Sequence, residues 1–267
     1  MHSGQIRPPL GLNLPSSDSP PCVSIVVPCF NEADRLPRDS FAEFLGQPSC
    51  IRLIFVDDGS TDSTLRLLNE LRQSAPDRVS VLALPRNCGK GEAVRRGMHY
   101  ATETDHPQYT GFWDADLATP LDAISRFVHT LDERPEFEMV FGSRVKLLGR
   151  DVVRSAARHY VGRVFATAVS VILQLSIYDS QCGAKLFRVN AHLAEVLREP
   201  FLSRWIFDVE IIARYRRLLG GNPALLERII YEYPLERWRD VRGSKLRSGD
   251  FVRALADLAR IWNRYIR

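Results

Sequence analysis

What this 267-residue chain lacks narrows the field first. Its five cysteines, Cys22, Cys29, Cys50, Cys88 and Cys182, include no Cys-x-x-Cys pair. An odd, scattered set suggests neither a zinc site nor a disulfide framework, and it favours a reducing compartment. No apolar run reaches the roughly 20 residues that cross a bilayer. The longest uncharged apolar stretch, VFATAVSVILQLSIY, covers 164–178. The Pro- and Ser-rich segment 1–21 has no continuous apolar signal-peptide core and reads as a disordered tail, which leaves 22–267 as one folded domain. Net charge is small, +4 from 36 Lys and Arg against 32 Asp and Glu, so the chain is not a polycation built to coat nucleic acid.

Nucleotide-loop signatures are also missing. Around NCGKGEA, Leu84 stands where a Walker loop needs Gly, and Gly91 where it needs Ser or Thr. Gly89, Gly91 and Gly97 do not keep Rossmann spacing either. What remains there is a basic, glycine-rich turn at a helix N-terminus, suited to anionic or ribose groups and equally consistent with ordinary capping.

Short β-branched runs alternate with helical patterns. VSIVVP (23–28), IRLIFV (51–56), VSVLAL (79–84), TGFWD (110–114) and EMVFGSR (138–144) read as strands, followed by another near RIIYEYP. Helices are predicted after the capping candidates Ser60 and Thr61, over GEAVRRGMHYA, around 155–175, 189–198 and 206–218, and as an amphipathic C-terminal helix from about 249. This alternation predicts an α/β protein with a doubly wound, mostly parallel sheet, which binds ligands beyond the carboxyl ends of its strands. The polar clusters PCFNE, DDGSTD, PRNCGKG and DADLATP all follow strands and would share that rim.

Asp114 and Asp116 in DADLATP stand one residue apart, so on extended chain they face the same side. At about 4 Å and an effective dielectric of about 20, their repulsion is on the order of 4 kcal/mol. A hard cation, Mg2+ or Mn2+, shared with diphosphate oxygens would relieve it. In DDGSTD, Asp57 or Asp58 can accept from a base N–H, although Asp-Gly-Ser-Thr is also ordinary turn and cap chemistry. Basic residues cluster at Arg144–Arg163, with six against the single acid Asp151, and again at Arg237–Arg247. The 164–178 segment fits a buried helix, or one lying at a membrane interface behind Arg154, Arg158 and Arg163.

In order, VSIVVPCFNE, IFVDDGSTDST, LPRNCGKGEAVRRGM, DADLATP and FGSR resemble the successive motifs of the inverting family 2 glycosyltransferases, which have the GT-A fold. DSQCGAKLF and RWIFDVEI resemble more particularly the dolichyl-phosphate β-glucosyltransferase and polyprenyl-phosphate glycosyltransferase branch. The resemblance runs from about residue 23 to 245. It implies that Pro28, Phe30, Asn31 and Glu32 line the nucleoside pocket, that Asp58 contacts the base with Asp57 as a further nucleotide-binding candidate, and that Lys90 reaches the nucleotide. Asp114 and Asp116 then hold ribose and metal. Arg144 and Arg154, with Ser244, hold an acceptor phosphate, while Arg242 and Lys245 close over the diphosphate. Asp208 and Asp179 stand where relatives carry acidic site residues, so Asp116, Asp208, Asp179 and Lys245 are the catalytic candidates.

The resemblance implies transfer of a hexose, glucose by preference from UDP-glucose, to a polyprenyl or dolichyl phosphate by a metal-dependent enzyme at the cytoplasmic face of a membrane. An acceptor phosphate with a second pKa of about 6 is already mostly anionic at neutral pH and needs little help from a base. Ala118 and Ala184 depart from the mannosyl and glucosyl patterns, which carry Gln and an aromatic residue there. A GDP-mannose donor, a soluble or lipid hydroxyl acceptor, and a non-catalytic nucleotide-binding adaptor are the alternatives.

Overall fold

The computed structural model describes residues 22–153, 156–241 and 248–267. The first half alternates strictly: β1 (Val23–Cys29), α1 (Arg38–Gly46), β2 (Ile51–Asp57), α2 (Thr64–Ser74), β3 (Val79–Ala83), α3 (Lys90–Thr104), β4 (Tyr109–Trp113), α4 (Ala123–Glu133) and β5 (Met139–Ser143). The second half is less regular, with β6 (Asp151–Val153), α5 (Ala156–Leu173), β7 (Ala184–Arg188), α6 (Ala191–Arg198), α7 (Phe207–Leu218) and α8 (Pro223–Ile229). It ends with β8 (Ile230–Pro234), β9 (Arg237–Arg239), α9 (Ser248–Ile261) and a π-type turn, Trp262–Ile266.

Seven strands form one sheet in the order β3-β2-β1-β4-β7-β5-β8. Pairing is parallel except where β7 inserts antiparallel between β4 and β5. Alternation along the strands divides the core into two layers. In β1, Val23, Ile25 and Val27 pack with Phe41 of α1, Leu67 of α2 and Ile124 of α4. Val26 faces the other way, toward Val94 of α3, Phe165 of α5, Leu193 of α6 and Phe207 of α7. Helices therefore cover both faces, as a near-continuous β-branched strand such as VSIVVPC requires.

The 164–178 segment divides between the two sequence expectations. Phe165, Ala166, Val169 and Leu173 are buried in the second layer, whereas Val164 and Val171 on the opposite side of α5 are exposed. Among the described residues no helix is long and apolar enough to cross a membrane.

One expectation is corrected. Cys22 and Cys50 are joined as a disulfide with their Cα atoms 5.5 Å apart. The parallel register explains it: Val23 lies opposite Ile51, so the residues just before them arrive side by side. Linear spacing could not reveal this, and the cysteines no longer support a reducing compartment. Cys29, Cys88 and Cys182 are not disulfide-bonded.

Candidate active site

The parallel strands deliver their polar ends to one rim, where side chains tie the loops together. After β1, Asn31 takes a left-handed conformation (φ 49°); its N–H donates to Ser60 Oγ, and its side-chain oxygen accepts from Thr61 N–H, both at 2.9 Å. Glu32 N–H donates to Thr64 Oγ1 at 2.8 Å. Pro28 pairs with Val56 inside the sheet, and Phe30 follows the strand's end beside Asn31. Of the nucleoside-pocket candidates, Asn31 and Glu32 just beyond β1 are thus tied to the loop that follows β2.

Asp57 and Asp58 are both buried. Asp57 Oδ2 accepts from Ser60 N–H at 3.3 Å, while Oδ1 has no hydrogen-bond partner. Asp58 accepts from Cys88 N–H at 2.6 Å and Gly89 N–H at 2.8 Å, so it holds the basic turn in place. Burial raises its pKa, with the two amides opposing that rise. Of the two, Asp57 carries the unused acceptor oxygen, which is buried, whereas both Asp58 oxygens are engaged by the basic turn. Gly89 needs its φ of +98° and its bare Cα, because a Cβ there would come within 2.6 Å of Arg204 Nε. Arg204, from the loop before α7, also bonds Asn87 Oδ1, and its carbonyl accepts from Gly91 N–H at 3.1 Å. The RWIFDVEI motif thereby braces PRNCGKG.

Lys90, the first residue of α3, reaches Asp114 at 2.5 Å. Burial works against its charge, but Asp114 and Asp208 outweigh that and raise its pKa. Asp116 lies at the next turn position, 3.6 Å from Arg35, which also approaches Glu32 at 3.7 Å. Burial and then the neighbouring Asp114 raise the Asp116 pKa, the signature of crowded like charge. These two carboxylates offer hard oxygen donors with charge left over, which suits Mg2+ or Mn2+. Among the described residues no group of three or more His, Cys, Asp or Glu gathers as a metal site, so ligand oxygens or water would complete the shell.

Arg144, just beyond β5, is gripped by Asp179: Nε and Nη2 donate to its two oxygens at 2.6 and 2.7 Å, and the Arg144 N–H adds a third bond at 3.1 Å. Burial would raise the Asp179 pKa, but Arg144 outweighs it and lowers it. Glu232 of β8 accepts from the backbone N–H groups of Tyr178 and Asp179, both at 2.8 Å, and so fixes the turn that carries Asp179. Arg144, Arg163, Tyr178, Ser180 and Gln181 line a small cavity beside this pair, with Arg163 stacked 4.1 Å from the Tyr178 ring centre. Asp179 itself lines the same cavity, with both of its oxygens engaged by Arg144.

Asp208, in the first turn of α7, pairs at 2.7 Å with Lys185, which is fully buried at the centre of β7. The Lys185 ammonium also donates to Cys182 C=O at 2.6 Å and lies 5.4 and 5.2 Å from the ring centres of Phe112 and Phe141. Burial raises the Asp208 pKa, with Lys185 and Lys90 opposing it. The Cys182 thiol is pushed up to about 11 by burial, so it is inert. Gly183 touches the Asp114–Asp116 turn directly: its carbonyl accepts from Asp114 N–H at 2.8 Å.

Of the sequence candidates, Lys90, Asp114, Asp116 and Asp208 are brought together, with Arg144 and Asp179 at the adjoining cavity. Arg154, Arg242, Ser244 and Lys245 lie outside the described residues. Sequence reasoning missed Lys185, Glu232 and Arg35. The first had a usable signal, a lysine interrupting the apolar AKLF run.

Comparisons with known proteins agree with this geometry. The model of glycosyl transferase family 2 matches residues 24–193. A dolichyl-phosphate beta-glucosyltransferase of Dictyostelium discoideum is 32% identical over 259 residues, covering 91% of this chain and 75% of that protein. The Drosophila melanogaster enzyme of the same name is 32% identical over 275 residues, 96% of this chain and 79% of its own. Among solved structures, glucosyl-3-phosphoglycerate synthase from Mycobacterium tuberculosis in complex with phosphoglyceric acid superposes with a TM-score of 0.62 at 19% identity, covering 97% of this chain and 86% of that one. A Pyrobaculum calidifontis mannosyltransferase in complex with GDP-Man and Mn2+ gives 0.61 at 18%, covering 95% and 66%. The fold is GT-A, and the chain belongs to glycosyl transferase family 2.

Proposed function

We propose that the chain transfers glucose from UDP-glucose to a polyprenyl phosphate of the dolichyl kind, with inversion at the anomeric carbon. The curated relatives named above carry that donor sugar and acceptor in their names, and they align along nearly the whole chain. The observation that carries the acceptor is Arg144, held by Asp179 in a cavity with Arg163, because paired guanidinium groups suit phosphate oxygens. Arg154 and Ser244 complete the proposed acceptor site.

Divalent metal use is supported by the Asp114 and Asp116 oxygens, and by related structures described as complexes with Mn2+ and UDP-glucose. When bound, the ion would neutralise charge on the departing diphosphate. The chain's own groups do the rest. The nucleoside lies along Pro28, Phe30, Asn31 and Glu32, with its base at Asp57 and the loop held by Asp58. Lys90 keeps Asp114 in place, and the family resemblance assigns the diphosphate to Arg242 and Lys245, which lie outside the described residues. Arg144 presents the acceptor phosphate, whose oxygen attacks the anomeric carbon directly. That oxygen is already anionic, so Asp208 is not required as a base. An acceptor with a lipid tail places the enzyme at a membrane surface; the cytoplasmic face is our reading.

The test is a donor and acceptor matrix: UDP-glucose and GDP-mannose, each with a short-chain polyprenyl phosphate, with the matching alcohol, or with no acceptor, in Mn2+ or EDTA. Transfer only from UDP-glucose to the phosphate, lost in EDTA, is expected. Glucosylation of the alcohol, or mannosyl transfer, would overturn the assignment.

A further inference from the structure

We propose that the turn Leu147–Leu148 is a membrane-inserting element that docks the acceptor cavity onto an anionic lipid surface. The proposal deepens the functional reading above, because it names the surface from which a phosphate lipid would be drawn. Leu148 is 105% exposed and Leu147 46% exposed, at the tip of a tight turn closed by Leu147 N–H to Val145 C=O and Arg150 N–H to Leu147 C=O, at 3.1 and 3.2 Å. Gly149 takes φ +80° with open space around its Cα, which lets the turn project both leucines outward. Two adjacent leucines left in water are not explained by packing within this chain.

Charge identifies the occupant. The segment 144–150, RVKLLGR, contains no acid; Arg144 pairs with Asp179 and Arg150 with Glu236 at 3.0 Å, while Lys146, next to the leucines, is exposed. Leucines between cations match the lipid–water boundary, where apolar side chains enter the acyl region and basic ones meet anionic headgroups. The turn begins at Arg144 in the acceptor cavity. Helix α5, which lends Arg163 and Phe165 to the cavity, also leaves Val164 at 65% and Val171 at 71% exposed, two turns apart on one helix face.

The test is cosedimentation of the full chain with vesicles of phosphatidylcholine, with and without phosphatidylserine, and with no donor or acceptor present. Leu147→Ser with Leu148→Ser should lower partition by about tenfold or more, with an unchanged melting temperature. Val164→Ser with Val171→Ser should lower it less. Lys146→Glu should weaken binding about fivefold or more on phosphatidylserine vesicles only, an effect that salt removes. Turnover of a water-soluble short-chain acceptor by the leucine variant should equal that of the unmodified enzyme. Partition of the leucine variant within about twofold of the unmodified chain would overturn the proposal. So would loss of self-association in place of vesicle binding, which would make a second copy the occupant. Because partition needs no turnover, it stands or falls separately from the UDP-glucose assignment.

Discussion

Gly183→Ala should disable the site while leaving the fold largely intact. A Cβ at that position would sit 1.9 Å from Asp114 Oδ2, 2.1 Å from Cγ and 2.6 Å from Oδ1, where ordinary contact is 3.4–4 Å. The carboxylate must therefore retreat by roughly 1.5 Å, the difference between 3.4 and 1.9 Å. It cannot do so by moving the strand, because Asp114 N–H is bonded to Gly183 C=O at 2.8 Å. The side chain has to rotate instead, which breaks its 2.5 Å contact with Lys90 and carries one of the two metal-facing carboxylates out of line. A misplacement of about 1 Å near the chemistry costs about 100-fold in rate, whereas overpacking costs about 1–3 kcal/mol of stability. The assays are glucosyl transfer to a short-chain polyprenyl phosphate, calorimetric UDP binding with and without Mn2+, and thermal melting. Gly46→Ala, with nothing within 4 Å of its new Cβ, is the control. Turnover within a factor of about three of the unmodified enzyme, with Mn2+-dependent UDP binding unchanged, would refute the role given to Asp114 and its glycine neighbour.

Asp208→Asn should reduce turnover of a phosphate acceptor by less than about tenfold, with melting followed in parallel because Lys185 loses its counter-ion; near-complete loss in a folded variant would show that a carboxylate base is needed. Arg144→Met leaves the buried Asp179 uncompensated and should cost about 3–5 kcal/mol at neutral pH. Arg144 lowers the Asp179 pKa, so the pair's stabilisation is complete above the ordinary carboxylate range and is lost as pH falls through the folded value. The gap between variant and unmodified protein should accordingly narrow in acid, and a gap independent of pH would count against the pair. Cys22→Ser opens a crosslink spanning 28 residues and should lower stability by about 2–4 kcal/mol, as should reduction by dithiothreitol in equilibrium unfolding.

The parallel half of the fold was legible because its strands are short buried runs, β-branched in β1 and β2 and aromatic in β4, each closed by a polar cluster. Strand β7 was not, since AKLFR is short and carries a lysine whose partner, Asp208, lies in a helix that follows it in the chain. Helices α1 and α4 were missed as well; α1 is only nine residues long and starts after Pro37 rather than a capping side chain. The β6–β9 pair escaped for a different reason: three residues apiece are too few to show a period. Site residues set by a local motif, such as Lys90 and Asp114, could be read directly. Those set by the meeting of distant strands could not, and Glu232 is the clearest case: it serves the site only because β8 lies beside β5.

That division follows from how the site balances its charge. Three acids are answered by cations brought from elsewhere in the fold: Asp114 by Lys90, Asp179 by Arg144 and Asp208 by Lys185. Asp116 is answered least, with Arg35 at 3.6 Å and the Asp114 carboxylate beside it. Burial followed by that like charge raises its pKa, so the folded chain carries an uncompensated cost at neutral pH that protonation would relieve. A structural role would select against such an arrangement, since replacing Asp116 with a neutral side chain would remove the repulsion on the order of 4 kcal/mol at about 4 Å. With Asp114, Asp179 and Asp208 each meeting a cation, the deficit of positive charge at Asp116 is what a divalent ion arriving with its nucleotide would fill.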